Sequence, residues 1–416
     1  MAILKSFRGY RPGKEYAAKI ASRPYDVLSS EEARVEVEGN PLSFLHVVKP
    51  EVDLPRGTDP HSEKVYLKGK ENLERMIAED IFFQDEEPCL YVYAQTRNGR
   101  TQFGLVGCAS ILDYMNNLIR RHELTRPDKE EDRKQHIRVS SFNYEPVFFA
   151  YPPHKEIDEI VARIVQTDAE YDFVAVDGVG HRFWVIRDRE EIGRLETLFA
   201  TDVPFTYVAD GHHRTAAASG VGEERRRADR NHTGKEEYNF FLAVHFPANQ
   251  LTIIDYNRVV RDLNGLTDEE FLGRLEASFL ISREGEKIFK PGRHHEFGMY
   301  LSGSWYSLKA RKGTYDDQDP IARLDVTILS EQVLIPLLNI ADLRKSDRID
   351  FVGGVRGPEE LKRRVDSGEM KVAFALYPVS MEQLMEIADT DNIMPPKTTW
   401  FEPKLRSGLI LHKLGD

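Results

Sequence analysis

The sequence contains very little cysteine and no long hydrophobic run. Cys89 and Cys108 are the only cysteines among 416 residues. Two thiols in so long a chain exclude a disulfide framework and a four-cysteine zinc site. No stretch approaches the length of a transmembrane span, and the first twenty residues lack the apolar segment of a signal peptide. The sequence therefore predicts a cytoplasmic protein without a membrane partner.

The chain also lacks an excess of positive charge. It carries 57 basic and 69 acidic residues, a formal net charge of -12, so nucleic acid is an unexpected partner. Aromatic residues at 10% and charged residues at 30% are typical of an ordered soluble protein and not of a disordered one. The length is sufficient for two or three domains.

The common nucleotide-binding motifs are absent as well. The sequence has no GxxxxGK[ST] loop and no GxGxxG loop behind a strand. A nucleotide, if one binds, must be held by another arrangement of residues.

Apolar patterning predicts an α/β to α+β fold with a mixed sheet and flanking helices. Asn98-Gly99 joins two apolar runs and predicts a hairpin, and "YNFFLAVHFP" with "LTIIDYNRVV" predicts another. Helical spacing in "LDYMNNLIRRHELT" predicts a helix over residues 112–125, continued by a charged, exposed stretch. We expect a first region at 1–264 and an α+β region at 265–416, which packs on the first and contributes a loop at 395–408 to its site.

The stretch "YVADGHHRTAAAS" (residues 207–219) is the strongest candidate site. An apolar strand precedes Asp210-Gly211, a turn pair, and small residues that suit a closely packed helix follow it. The free N–H groups and dipole of such a helix start attract anions, and Arg214 adds a bidentate partner for phosphate. An ordinary turn with solvated polar residues is the alternative. Because adjacent histidines point in different directions, one zinc ion is not expected to bind both His212 and His213.

Three other stretches concentrate polar residues. In "LIRRHELT", Glu123 is a candidate general base tuned by His122 or Arg120, or else belongs to a simple surface helix. "FRGYRP" and "ASRPYDVLS" place arginines beside tyrosines and Asp26, as either an anion site or a packed N-terminal strap. "PPKTTWFEPKLRSG" is either a charged site loop or a terminal strand with a buried tryptophan.

These same stretches, with "NPLSFLHVVKPE", "EEDR" and "IMPPKTTWFEPKLRSG", resemble domain-of-unknown-function family 1015, often labelled ParB-like, over essentially the whole chain. The Asp-Gly-His-His-Arg segment also resembles the Gly-x-His-Arg phosphate motif of the ParB/sulfiredoxin superfamily, with Gly211, His213 and Arg214 at the matching positions. That superfamily includes sulfiredoxins, partition proteins and free-serine kinases. The chain lacks the reactive cysteine of the first, since Gly211 precedes His212, and no helix-turn-helix of the second is apparent.

The resemblance therefore implies a ParB/sulfiredoxin-like core and a kinase that transfers phosphate from ATP or ADP, with Mg²⁺, to the hydroxyl of a free amino acid, most plausibly L-serine. Glu123 is then the base, with Asp210 and Asp26 next in line, and Asp210 holds the Mg²⁺ directly or through water. The residues assigned to the nucleotide are Gly211, His212, His213, Arg214 and Thr215, with His213 also assigned to catalysis. Arg8, Arg23 and Lys404 are assigned to the substrate carboxylate.

Two other functions are considered beside the kinase. One is a nucleotide-responsive binding protein, which needs the same loop but no base. The other is a metal-dependent hydrolase built on His212, His213 and Asp210. The oligomeric state stays open, with a homodimer among the options.

Overall fold

The computed structural model describes residues 1–415, which divide into two compact units. The first unit comprises Met1–Leu251 together with the residues from Pro403 onward, and the second is Thr252–Glu402. The boundary expected between residues 264 and 265 falls inside the second unit. Lys404 and the last strand of the chain belong to the first.

The first unit contains nine α-helices and twelve strands within the described residues. The helices are α1 (Ala17–Ile20), α2 (Ser30–Glu36), α3 (Leu45–Val48), α4 (Glu63–Ala78), α5 (Ile111–Met115), α6 (Pro127–Ser140), α7 (Lys155–Ile164), α8 (Arg189–Asp202) and α9 (His212–Ala228). The strands are β1 (Tyr10–Pro12), β2 (Phe82–Gln84), β3 (Leu90–Arg97), β4 (Arg100–Ser110), β5 (Ile119–Arg120), β6 (Phe142–Asn143), β7 (Val147–Tyr151), β8 (Tyr171–Val174), β9 (Gly180–Ile186), β10 (Thr206–Asp210) and β11 (Phe240–Pro247), with β20 (His412–Lys413) at the chain end.

An eight-stranded mixed sheet forms the centre of this unit, in the order β5-β10-β7-β11-β4-β3-β9-β8. The pairs β10–β5 and β11–β7 are parallel and the other neighbours are antiparallel. The hairpin expected at Asn98-Gly99 is confirmed, because β3 and β4 pair directly across it and both turn residues have positive φ. The mixed sheet with flanking helices is therefore confirmed.

Apolar side chains attach the helices to this sheet in separate clusters. Side chains of α7 and α8, including Ile157 and Leu195, pack with Val92 and Leu105 of the sheet. Small side chains of α9, including Ala217, pack with strands β7, β10 and β11 in a second cluster. The helix α9 thus lies against the strand that immediately precedes it.

Two predictions about local structure are wrong. Residues 112–125 do not form one helix: α5 ends at Met115, Asn117 adopts positive φ, and β5 then pairs with β10. The charged stretch that follows is a separate helix, α6, which buries Asp132, Arg133 and His136. The hairpin expected between residues 238–247 and 251–260 is also wrong, because β11 pairs with β4 and β7 of the first unit.

The second unit contains a six-stranded sheet, a separate two-stranded sheet and helices. Its strands are β12 (Ile253–Ile254), β13 (Tyr256–Val260), β14 (Phe279–Gly285), β15 (Glu296–Leu301), β16 (Ser304–Ala310), β17 (Ile349–Gly353), β18 (Val372–Leu376) and β19 (Trp400–Phe401). Its helices are α10 (Asp268–Leu275), α11 (Asp325–Leu329), α12 (Gly357–Asp366) and α13 (Met381–Asp389). The sheet order is β14-β16-β15-β18-β13-β17. Throughout residues 1–415, no helix combines the length and apolar character needed to cross a membrane.

Candidate functional site

The expected strand, turn and helix are all present at residues 206–228. Strand β10 ends at Asp210, Gly211 adopts a left-handed conformation with φ of 93°, and the 17-residue helix α9 begins at His212. A Cβ atom at Gly211 would lie 3.0 Å from the Arg214 Nε atom. The backbone conformation therefore favours glycine here, and a Cβ atom would also crowd the Arg214 guanidinium. Because glycine has no side chain, α9 starts without a side-chain cap.

The Asp210 carboxylate lies between two cations. Lys404 Nζ donates to Oδ1 at 2.5 Å, and Arg214 Nη2 donates to Oδ2 at 2.6 Å. Burial acts to raise the pKa of Asp210, but the charges of Lys404 and Arg214 outweigh it and hold that pKa below its ordinary value. The turn therefore carries two positive groups and one carboxylate at the start of α9.

Arg214 is almost fully buried, with 5% of its surface exposed. Its Nη1 atom donates to the Pro146 carbonyl at 2.7 Å, while Nε has no hydrogen-bond partner among the described residues. Burial disfavours the charged form, but Asp210, Asp26 and Glu145 raise the pKa of Arg214 above its ordinary value. A permanently charged guanidinium is thus fixed in the first turn of α9.

An exposed carboxylate, Asp26, faces this cluster. Its negative charge acts to raise the pKa values of Arg214, Lys404 and His213. Asp26 follows Tyr25, whose ring lies 3.8 Å from the Arg133 guanidinium and whose backbone N–H donates to Glu145 at 3.3 Å. The N-terminal stretch "ASRPYDVLS" therefore brings Asp26 close to Arg214, Lys404 and His213.

A buried ionic network supports that segment, and sequence reasoning assigned it no role. Arg133 donates to Glu145 at 3.0 Å and to Asp132 at 2.6 Å, and Asp132 also accepts from the Tyr66 hydroxyl and contacts a ring nitrogen of His61. Burial raises the pKa of Glu145, although Arg133 partly offsets this. The "EEDR" segment contains Asp132 and Arg133, but its charges alone do not indicate that these two face inward.

The two adjacent histidines point to different neighbours. His213 Nε2 accepts a hydrogen bond from the backbone N–H of Arg126 at 3.0 Å. His212 packs instead against His122, edge to face, with ring centroids 4.5 Å apart. Burial lowers the pKa of both His212 and His213, so neutral imidazoles are favoured at neutral pH.

Glu123 lies beside His122 and His212. One of its carboxylate oxygens is within 4.8 Å of ring nitrogens of both His122 and His212. Because β5 and β10 are parallel neighbours, the residues that follow them emerge at the same edge of the sheet. The assignment of Glu123 to a helix is wrong, and its role as a general base stays a prediction.

The other predicted site residues have separate contacts. The Thr215 hydroxyl donates to the Gly211 carbonyl at 3.0 Å, inside the first turn of α9. Arg8 donates to the Asp85 carbonyl at 3.1 Å, and Arg23 pairs with Glu36. Of the three residues expected to bind a substrate carboxylate, Lys404 is the one with a direct contact to Asp210; the roles of Arg8 and Arg23 stay predictions.

Direct ligation of Mg²⁺ does not fit the arrangement at Asp210. Both carboxylate oxygens already accept hydrogen bonds from cationic groups, and the positive charges of Lys404 and Arg214 disfavour a Mg²⁺ ion at the same oxygens. Near-octahedral coordination of Mg²⁺ would also require further oxygen ligands. We therefore assign no chemical step to Mg²⁺ at this carboxylate.

These observations define a class: a mixed α/β protein with an uncapped helix start beside two cations and three carboxylates, which are Arg214, Lys404, Asp210, Asp26 and Glu123. The chain belongs to the family described as "Protein of unknown function (DUF1015)", which it matches over residues 4–327. Among functionally curated proteins, none matches the chain.

Solved structures show remote likeness only. A free serine kinase in complex with AMP is 12% identical with a TM-score of 0.36, and the alignment covers 68% of this chain and 84% of the kinase. A conserved hypothetical protein from Pyrococcus furiosus is 14% identical with a TM-score of 0.35, over 70% of this chain and 90% of that one. SbnI from Staphylococcus aureus, truncated at its C-terminus, is 11% identical with a TM-score of 0.37, over 73% and 85%.

Proposed function

We propose that the protein is a nucleotide-dependent kinase that phosphorylates the hydroxyl of a free amino acid, with L-serine as the leading acceptor. The observation that carries the proposal is the pair of cations, Arg214 and Lys404, fixed at the uncapped start of α9. Phosphoryl transfer depends mainly on positioning and on neutralising phosphate charge. Helix N–H groups with the buried Arg214 and the partly buried Lys404 supply both.

The roles follow the positions of the groups. The first turn of α9, with Arg214, holds the nucleotide phosphates. The Gly211 conformation lets those phosphates approach the backbone closely. Lys404 is positioned either to neutralise phosphate or to bind the carboxylate of the amino acid, since it already binds the carboxylate of Asp210.

Two carboxylates are available to accept the hydroxyl proton. Glu123 is half-buried beside His212 at the start of α9, and Asp26 is exposed opposite the cations. Glu123 is our assignment, because its position beyond the parallel strand pair fixes it relative to α9. Asp26 is the comparison residue for every test of that assignment.

The decisive experiment combines the purified protein with Mg²⁺, either ATP or ADP, and a pool of hydroxy metabolites that includes L-serine. We expect a new phosphomonoester in the mass spectrum, O-phosphoserine first among them, and no such product without protein. The matched control is Arg194→Ala, which removes an exposed arginine paired with Glu156 elsewhere in the same unit and should leave the product yield unchanged.

Two results would contradict the proposal in different ways. Nucleotide binding without any phosphorylated product, unaltered by Glu123→Gln, would favour a nucleotide-responsive binding protein. The absence of nucleotide binding altogether would remove the α9 turn as a phosphate site.

A further inference from the structure

A cluster of potential metal ligands lies at the first residue of α9, on the side away from the His213 contact. Ligand atoms of His122, Glu123 and His212 all lie within 4.8 Å of one another. The parallel pairing of β5 with β10 brings the two chain segments together, and His122 and Glu123 lie in the bend that directly follows β5.

The cluster combines burial with a ring nitrogen that has no hydrogen-bond partner in the described part of the chain. His212 is 7% exposed, and its Nε2 atom has no hydrogen-bond partner among the described residues. A buried polar nitrogen without a partner is costly to maintain and calls for a ligand. Glu123 is only half-buried, which leaves a route from solvent.

We propose that His122, Glu123 and His212 bind a transition-metal dication of the Zn²⁺ type. Two imidazoles and one carboxylate match the donor preference of Zn²⁺, Co²⁺, Mn²⁺ and Fe²⁺, whereas Mg²⁺ and Ca²⁺ prefer oxygen ligands. Zn–N and Zn–O bonds of about 2.0–2.2 Å place tetrahedral ligand atoms roughly 3.3–3.6 Å apart. Binding therefore requires the three ligand atoms, which now lie within 4.8 Å of one another, to move closer together.

Three protein ligands leave a coordination position for water or for an oxygen of a bound molecule. The metal would stand beside the anion-attracting start of α9, where the charge of Asp210 favours a cation and that of Arg121 opposes it. His213 takes no part, because its Nε2 atom accepts the Arg126 N–H. The set differs from the histidine pair plus Asp210 considered from sequence.

Metal binding has a consequence that rests on the proposed function. A carboxylate that ligates a metal has less capacity to accept a proton, so an ion bound to Glu123 would slow phosphorylation if Glu123 is the base. The metal site itself requires no kinase activity, and it is tested without nucleotide or amino acid.

The test uses the full chain without a polyhistidine tag, stripped with EDTA and titrated with Co²⁺. We expect one equivalent to bind, with the visible absorption of a Co²⁺ ion of low coordination number, and Zn²⁺ to displace it. His122→Ala and His212→Ala should each weaken Co²⁺ binding by more than about 100-fold, the upper end of the loss caused by removing a mere outer partner of a metal ligand. His213→Gln is the matched control and should keep wild-type affinity.

Thermal unfolding of each variant, followed by circular dichroism, identifies any that fail to fold. Glu123→Gln provides a further variant, since it preserves shape and both histidines while weakening the third ligand. Equal Co²⁺ affinity in the wild type, His122→Ala and His212→Ala would overturn the proposal. Equal loss of binding in His213→Gln would also overturn it, because the ion would then lie elsewhere on the turn.

Discussion

Replacement of Arg214 by alanine should lower both the free energy of unfolding and the affinity for nucleotide, because different contacts are lost in each case. The folded protein loses the hydrogen bonds from Arg214 to Asp210 and to the Pro146 carbonyl. Asp210 keeps Lys404 as its remaining cation. Breaking a buried ion pair by removing one partner typically costs about 3–5 kcal/mol, and we expect a loss of unfolding free energy toward the lower end of that range, because Lys404 still compensates the carboxylate.

Nucleotide affinity should fall by a different mechanism. The lost contact is a hydrogen bond between a charged donor and phosphate, which contributes about 1.5–3 kcal/mol. That free energy corresponds to a Kd about 10- to 150-fold higher. Arg214→Lys keeps the charge but loses the planar fork, and its Kd should lie between those of the wild type and Arg214→Ala.

The assay is isothermal titration calorimetry with ATP and ADP, at a temperature where denaturant unfolding shows each variant to be fully folded. Arg194→Ala is the control for removal of an arginine charge, because its partner Glu156 is exposed and surface pairs contribute about 0–1 kcal/mol. A folded Arg214→Ala protein with the wild-type Kd would refute the assignment of Arg214 to phosphate and leave it a purely structural residue.

Three further predictions concern catalysis, the turn and the core. Glu123→Gln should lower kcat by about 10²–10⁴-fold with nucleotide Kd near wild type, and wild-type kcat in this variant together with inactive Asp26→Asn would transfer the role of base to Asp26. In urea titrations, Gly211→Ala should lower the unfolding free energy by about 1–3 kcal/mol, because Gly211 has positive φ. The control Gly193→Ala adds a Cβ atom with nothing near it and should raise the unfolding free energy by about 0.5–1 kcal/mol. The two ring nitrogens of His245 lack partners among the described residues, and burial lowers its pKa to about 3. Between pH 7 and pH 5 this residue should therefore lower the unfolding free energy of the wild type by about 2 kcal/mol, and His245→Phe should reduce that loss.

The sign of the pH effect follows from the protonation states. In the unfolded chain a histidine binds a proton with a pKa near 6.5, whereas in the folded protein His245 stays neutral until about pH 3. The stabilising contribution of the neutral form is complete above the unfolded pKa. It decreases as the pH falls toward the folded pKa, because the unfolded state gains the proton first. An identical pH dependence of stability in the wild type and His245→Phe would contradict this account.

The sequence predicts local structure correctly at turns, where the conformation depends on the turn residues themselves. Asn98-Gly99 predicted the β3–β4 hairpin, and the Asp210-Gly211 pair predicted the strand, turn and helix, because both depend on residues that accept positive φ. One Glu123 carboxylate oxygen lies within 4.8 Å of a ring nitrogen of His212 at the end of that turn, and the joint role of Glu123 and the turn stays a prediction.

The sequence does not predict the elements whose structure depends on partners that are distant along the chain. Residues 119–120 have helical spacing in the sequence, yet they form β5 because β10 offers a parallel edge. The apolar segment β11 resembled one arm of a hairpin, but its partners β4 and β7 are distant in sequence. Arg133 and Glu145 are buried as an ion pair, and a charged helix alone does not reveal which of its charges face inward.

The central claim is that the start of α9 holds the phosphates of a nucleotide that phosphorylates a free amino acid. Phosphorus NMR of the wild-type protein with Mg²⁺, nucleotide and L-serine tests it most directly, with Arg214→Lys and Arg194→Ala measured in parallel. We predict an O-phosphoserine resonance that grows with time in the wild type and in Arg194→Ala, and more slowly in Arg214→Lys. Unchanged nucleotide and serine resonances in the folded wild-type protein, with ATP and with ADP, would contradict the claim.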